Sequence, residues 1–383
     1  MFGEAPVGKK AGARSWQASC LGGYRGGSFG TFPRWSLQPK TNHTAMIKRA
    51  IQLGASATSL LALAASASAE IKLNDNFSIS GYAAASYEYS KVKGSPSWDS
   101  LFDGSKSTPS ADAVKTSLAA NFKPVTGVVS LYYVPNLPKD ELTVLDAYVT
   151  YDAGGGVTIT GGKFLSWMGY EAFDTPNMSQ ITYGAPTVGA LAAIPGYHSG
   201  LKIEYSDNVF GSGVALVDSV YSPNGFSRGD GELRHNAGFE GYLTYKGVEN
   251  LTLWGGIIYD TKGGFESHSV VMVDLWAQYQ LTKEITIAGE VTDKNGGDAL
   301  KGWDWLAYFN YAFTDKFSTV LRISGEQLSS ETKATGKSDY VQYTIGPSYK
   351  LTDNLTVRAE YSLYNYKDAS DKNFFGVQGI FKF

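Results

Sequence analysis

Arg322 and Glu326 stand four residues apart in one alternating run of this chain, and Arg358 and Glu360 stand two apart in another. Residues at even separation along an extended strand share a face, so each pair sets a cation beside an anion on one side. The same parity joins Lys202 to Glu204 and puts Glu240, Asp274 and Glu290 on the matching faces of neighbouring runs. Such charges do one of two things. They neutralise one another in a wall network, or they set a field across a water-filled passage that orders solutes by charge and dipole. Glu171 and Asp174 are the acids placed to face Arg322 and Arg358 in the second case, and the sequence leaves both open. Lys163 has ambiguous parity, because Val157 and Ile159 share its face.

Catalytic chemistry finds little support. His198, His235 and His268 have no metal-like partner two or four residues away, and there is no zinc-protease, nucleophile-elbow, phosphate-loop or calcium-loop motif. His198 and Ser199 are adjacent on a strand and point to opposite faces, so they cannot form a nucleophile-base contact. No catalytic residue, metal or cofactor is expected. Cys20 is the only cysteine and lies far upstream, which excludes a disulfide or thiolate site in the rest of the chain.

The elements that position these charges announce themselves by repetition. Tyr279-Gln-Leu-Thr-Lys-Glu-Ile-Thr286, Tyr311-Ala-Phe-Thr-Asp-Lys-Phe-Ser318 and Tyr349-Lys-Leu-Thr-Asp-Asn-Leu-Thr356 repeat one phrase, with Tyr245-Lys-Gly-Val-Glu-Asn-Leu-Thr252 as a looser copy. An aromatic that ends one alternating run, a short polar turn and an apolar residue that begins the next is the mark of a tight hairpin. The phrase recurs at the spacing of two strands, one turn and one longer loop.

One face of these runs is uncharged throughout: Leu251, Leu253, Ile257, then Val271, Val273, Leu275, then Leu355, Val357, Leu363. The opposite faces carry the charges named above. Alternation alone also fits a soluble sandwich, but here the apolar faces end in aromatics. Phe122, Tyr151, Tyr205, Tyr245, Tyr279, Tyr311, Tyr349 and Phe383 mark the turn ends, and Tyr87, Tyr89, Tyr133, Tyr259 and Trp305 the other ends. Rings with one wet edge favour the headgroup level, so two such rows mark two membrane interfaces.

The N-terminal region points the same way. Met46-Ile-Lys-Arg supplies a basic start, 51–65 is apolar and small, and Ala67-Ser68-Ala69 reads as a cleavage site, so 46–69 is expected to be a secretory signal peptide. Residues 1–45, rich in Gly, Arg and Ser, are expected to be an upstream extension from a wrongly assigned start. Residues 1–69 hold eight of the 33 Lys and Arg and one of the 36 Asp and Glu. The remainder has 25 basic and 35 acidic residues, a formal charge of −10 by subtraction. An acidic chain without a basic stripe is no partner for nucleic acid.

Counting runs between turns gives sixteen strands, from 76–91 to 373–383, over a barrel domain at 70–383, with two fewer or two more left open. The expected fold is all-β: a transmembrane antiparallel up-and-down barrel with both termini periplasmic. Unpaired backbone groups are costly in hydrocarbon, so the first and last strands must meet. Pro347 cannot donate to a ladder and predicts a bulge or strand end. The longest connection, 167–195, is too apolar for water and is expected to fold into the barrel mouth and narrow the lumen.

Gly162-Lys163-Phe164, Gly169-Tyr170-Glu171 and His198-Ser199-Gly200, with the Tyr-x-Leu-Thr-Asp-x-Leu phrase and the strand carrying Arg322 and Glu326, resemble the beta-barrel porin-2 family. The likeness spans most of 70–383. It implies a bacterial outer-membrane porin, and Phe383 resembles the C-terminal signal read by barrel-assembly machinery. The expectation is a passive porin for small hydrophilic solutes, seated among outer-membrane lipids, with a homotrimer among its forms. Its candidate lumen and constriction residues are Lys163, Glu171, Asp174, Lys202, Glu204, Glu240, Asp274, Glu290, Arg322, Glu326, Arg358 and Glu360. A sugar-specific porin, with Trp254, Trp276, Tyr242 and Tyr308 stacking on sugars, and a plugged structural or adhesive barrel are the alternatives.

Overall fold

The structure is a computed structural model and describes residues 70–94, 110–134, 141–221, 237–261, 269–298 and 300–383. The segments 1–45 and 46–69, and with them the signal-peptide reading, lie outside the described residues, as do His235 and His268.

Sixteen strands form the barrel. They are β1 Phe77–Val92, β2 Ser110–Phe122, β3 Val125–Val134, β4 Glu141–Gly154, β5 Val157–Leu165, β6 Tyr197–Ser206, β7 Phe210–Val217 and β8 Gly238–Tyr245. The second half comprises β9 Leu251–Asp260, β10 Val270–Gln280, β11 Ile285–Asn295, β12 Lys301–Ala312, β13 Phe317–Leu328, β14 Tyr340–Lys350, β15 Leu355–Tyr366 and β16 Lys372–Lys382. Each pairs antiparallel with the next, and β16 closes on β1 from Lys372 opposite Val92 to Lys382 opposite Tyr82. Closure leaves no edge strand to bare its backbone to lipid.

The repeated phrase is a repeated turn. The Thr282 hydroxyl accepts from the N–H groups of Glu284 and Ile285, Thr314 from Lys316 and Phe317, and Thr352 from Asn354 and Leu355. In each the residue before the threonine donates its N–H to the apolar residue that opens the next strand, as Leu281 does to Ile285 at 2.9 Å. These side-chain-to-backbone bonds close the hairpin in place of a glycine. Val248 occupies the threonine's place in the looser copy, and there Asn250 turns the chain with φ 62° instead.

The outward faces are the uncharged ones, and they stay open: Leu243 is 68% exposed, Leu142 65% and Leu275 52%. Large aliphatics at that exposure in a closed sheet belong to hydrocarbon. Phe122, Tyr151, Tyr205, Tyr279 and Tyr349 are exposed at the turn ends, and Tyr259, Trp303, Tyr343 and Tyr361 towards the loop ends. Pro347 causes no bulge. It pairs with Thr319 of β13, and on the β15 side the ladder skips Gly346 and Pro347 and resumes in the same register. A prolyl nitrogen is tolerated because only one of its two neighbours asks for an N–H.

Candidate functional site

The charges face inward, and what they meet is the loop between β5 and β6. Residues 166–196 enter the barrel and touch strands on every side of the lumen. Ser166 anchors the root, its N–H donating to the Gly196 carbonyl at 3.0 Å and its hydroxyl to Glu240 at 2.7 Å. His198, wholly buried, stands beneath the edge of Phe164 with Nε2 3.7 Å from Glu240.

From there the loop spends its backbone N–H groups on wall carboxylates. Gly169 donates to Asp274 at 2.8 Å, Tyr170 to Glu290 at 2.7 Å, Ile181 and Thr182 to Glu360, and Leu191 to Glu326 at 2.8 Å. Trp167 gives its indole N–H to Glu204 at 3.0 Å. A buried carboxylate is satisfied by such donors without a cation, and a loop without regular structure is satisfied by such acceptors without a sheet. The cations take the carbonyls. Arg358 donates to Met178 O at 2.7 Å and Thr175 O at 3.1 Å, and Lys294 to Leu191 O at 2.8 Å.

Two ion pairs complete the crossing. Glu171 accepts from Arg322 at 2.6 Å, and also from Gln180, the Gly184 N–H and the Tyr308 hydroxyl. On the far wall Asp174 meets Lys115 at 3.0 Å, and Lys115 also reaches Asp146 at 3.3 Å. The expected basic ladder facing Glu171 and Asp174 across open water is therefore not what the chain builds. Arg322 is in contact with Glu171, Arg358 serves loop carbonyls, and the partner of Asp174 is Lys115.

Motif residues acquire roles of shape. Gly169 has φ 97°, and a Cβ there would stand 2.9 Å from Ile194. Gly162 has φ 130°, and its Cβ would fall 2.2 Å from the Ala147 carbonyl. Only glycine fits both demands. Burial, reinforced by Glu290 and Glu171, holds the Tyr170 hydroxyl above its ordinary pKa, so it remains the protonated donor to Gln278 at 3.1 Å.

Of the other candidates, Lys202 and Glu204 pair at 3.1 Å on the lumen side, with Lys202 over the rings of Phe164 and Trp167. Lys163 is not a lumen residue. It stands opposite Ala147 and Ser199 on the outward face and donates to the Val144 carbonyl at 2.7 Å. The aromatic set also differs from a sugar slide. Tyr242, Trp254 and Trp276 stack in a row along the wall, but Trp167, Met168 and Tyr170 of the loop cover them.

Exposure separates the two sides of the crossing. The Arg322 and Glu171 side chains are 0% and 2% exposed, whereas Asp174 keeps 30%, Asp146 13%, Lys115 10%, Glu204 10% and Lys202 9%. The loop seals against β12–β15, and its wetter charges lie toward β2, β4 and β6. Lys115 and Asp146 stand on the lumen side of β2 and β4, but no sequence motif singles them out as partners of the loop.

A closed sixteen-strand barrel with a polar interior and one long loop folded inside it is the architecture of a porin. The chain belongs to the family described as "Putative beta-barrel porin-2, OmpL-like", whose profile matches residues 111–383. Among solved structures it is similar to the outer membrane channel DcaP of Acinetobacter baumannii, at 10% identity and TM-score 0.59 over 80% of this chain and 97% of that one. It is similar to Pseudomonas putida OprB at 9% and 0.60 over 80% and 94%, and to a Rh. blastica porin mutant at 16% and 0.54 over 80% and 100%. These likenesses are of fold. No curated protein matches the sequence.

Proposed function

We propose that the mature protein is a bacterial outer-membrane porin through which small hydrophilic solutes and ions diffuse passively, along a path narrowed by residues 166–196. The observation that carries this reading is the asymmetric crossing: the loop packs dry against Arg322, Glu360 and Arg358, while Asp174 keeps 30% of its side chain exposed, Asp146 13%, and Lys115, Lys202 and Glu204 about a tenth each. Those five charges would line the narrowest point, where no energy coupling or cofactor is needed. The remaining candidates, Glu240, Asp274, Glu290 and Glu326, act as loop anchors. Residues 46–69 serve as the export signal, the turn ends and both termini face the periplasm, and Phe383 is read by the assembly machinery. Membership of a porin family favours a channel over an enzyme.

A second reading, a lumen plugged by the loop, draws on the loop's contacts around the whole wall. Liposome swelling separates the two. Proteoliposomes holding the purified mature chain should swell in small sugars and amino acids and slow steeply with solute size. Swelling no faster than protein-free liposomes in every solute would defeat the diffusion reading.

A further inference from the structure

We infer that the outward face at the loop end carries a binding site for the phosphorylated sugar headgroup of a membrane glycolipid. Asp293 of β11, Trp303 of β12 and Gln327 of β13 stand directly opposite one another across the ladder, all three exposed on the outward face. They line an open cleft of about 390 Å³ together with Lys301, Lys333, Asp339 and Lys367 at the rim.

The lining chemistry is specific. The electron-rich face of an indole attracts the polarised C–H groups of a pyranose, and Trp303 has a carboxylate on one side and an amide on the other to bond the sugar's hydroxyls. Lys333 is already engaged by Asp339 at 2.6 Å, and Asp339 also accepts the Leu328 N–H at 2.9 Å. Among the described residues no carboxylate stands within 4.0 Å of Lys301 or Lys367, both exposed, although Glu331 is near enough to Lys301 to feel its charge. Two such cations beside a sugar platform suit a headgroup that bears phosphate.

Position selects a lipid over a soluble sugar phosphate. Two residues nearer the barrel's middle, Trp305 lies against Gly325, with Val291 beside it, and Ile323 continues the same outward apolar face. A headgroup in the cleft would therefore lay its acyl chains along the apolar band, at the level where aromatic belts sit. This inference rests on the membrane setting of the family and not on whether the lumen conducts.

The test is native mass spectrometry of the full mature chain in detergent, with lipid A, phosphatidylglycerol and inorganic phosphate as probes. Lipid A should be retained about tenfold better than phosphatidylglycerol, and Trp303→Ala and the double variant Lys301→Gln, Lys367→Gln should each weaken it about tenfold, the factor for losing contacts to a charged group. Trp303→Phe should keep most of the affinity. Heat-modifiable gel migration reports folding in every variant, and the exposed lysine pair keeps the question answerable if Trp303→Ala misfolds. Unchanged retention in the folded variants would overturn the proposal. Equal retention of phosphatidylglycerol would reduce the site to a charged patch, and inorganic phosphate displacing lipid A at equal concentration would make it a plain anion site; either result refutes it.

Discussion

Arg322→Gln should release the loop without unfolding the barrel. The Arg322 guanidinium is fully buried and makes four contacts: Glu171 and the Thr182 carbonyl at 2.6 Å each, the Thr182 hydroxyl at 3.0 Å and the Thr344 hydroxyl at 3.1 Å. Three of them hold loop residues. Glutamine leaves Glu171 charged, 2% exposed and served only by Gln180, Gly184 and Tyr308, and removing one partner of a buried pair costs about 3–5 kcal/mol. The barrel ladder does not pass through this contact, so the cost falls on docking of the loop. At 1.4 kcal/mol per power of ten, the released population should rise by about two to three and a half powers of ten. Hydrogen exchange reads this directly: amides of Ile181, Thr182 and Gly184 should speed up by that factor while β7–β10 amides hold their rates. Arg322→Lys, which keeps charge but not the fork, should fall between. Wild-type exchange at the three loop amides, or uniform acceleration over the barrel, would refute the reasoning.

The lipid-facing side is tested by Leu275→Arg, midway along β10, expected to lower barrel stability by about 2–4 kcal/mol in folding titrations, while Val357→Arg, level with the Tyr349 belt, should cost about 0–1 kcal/mol and Thr356→Arg on the lumen side should be mild. Thr352→Ala removes the hydroxyl that closes its hairpin and should cost about 1 kcal/mol in the same titrations. Reversal potentials across a salt gradient should show weak cation preference, because Asp174, Asp146 and Glu204 outnumber Lys115 and Lys202 at the wet side of the loop. That preference should fade as the Debye length shrinks to about 3 Å near 1 M salt. Since the loop covers Trp254 and Tyr242, disaccharides should produce no saturable block of ion current.

Sixteen strands, their faces and their pairing across the closure were legible in the sequence because a period of two and a recurring turn leave a mark on every strand. Even the threonines of the repeated phrase have a mechanism that residue type announces. The expectation of a bulge or strand end at Pro347 failed because only one ladder is affected: pairing with β15 lapses at Gly346 and Pro347 and resumes in unshifted register, while pairing with β13 runs through. The loop's descent into the lumen was also legible from its apolar side chains. Its manner of attachment was not. Glu290, Asp274, Glu326 and Glu360 look like a channel's acidic lining, but their partners are backbone N–H groups of residues 169–191, which carry no signature of residue type. Lys163 was misleading because β5 shares its outward face between valine, isoleucine and lysine, and only the register with Ala147 and Ser199 resolves it.

Single-channel recording in planar bilayers bears most directly on the claim that this barrel holds a water-filled path limited by its inner loop. The purified mature chain should give discrete ohmic steps, and Arg322→Gln should give larger and noisier ones at the same salt. A wild-type chain that inserts but never conducts would contradict the channel, and an Arg322→Gln variant with the wild-type step would contradict the loop as its limit.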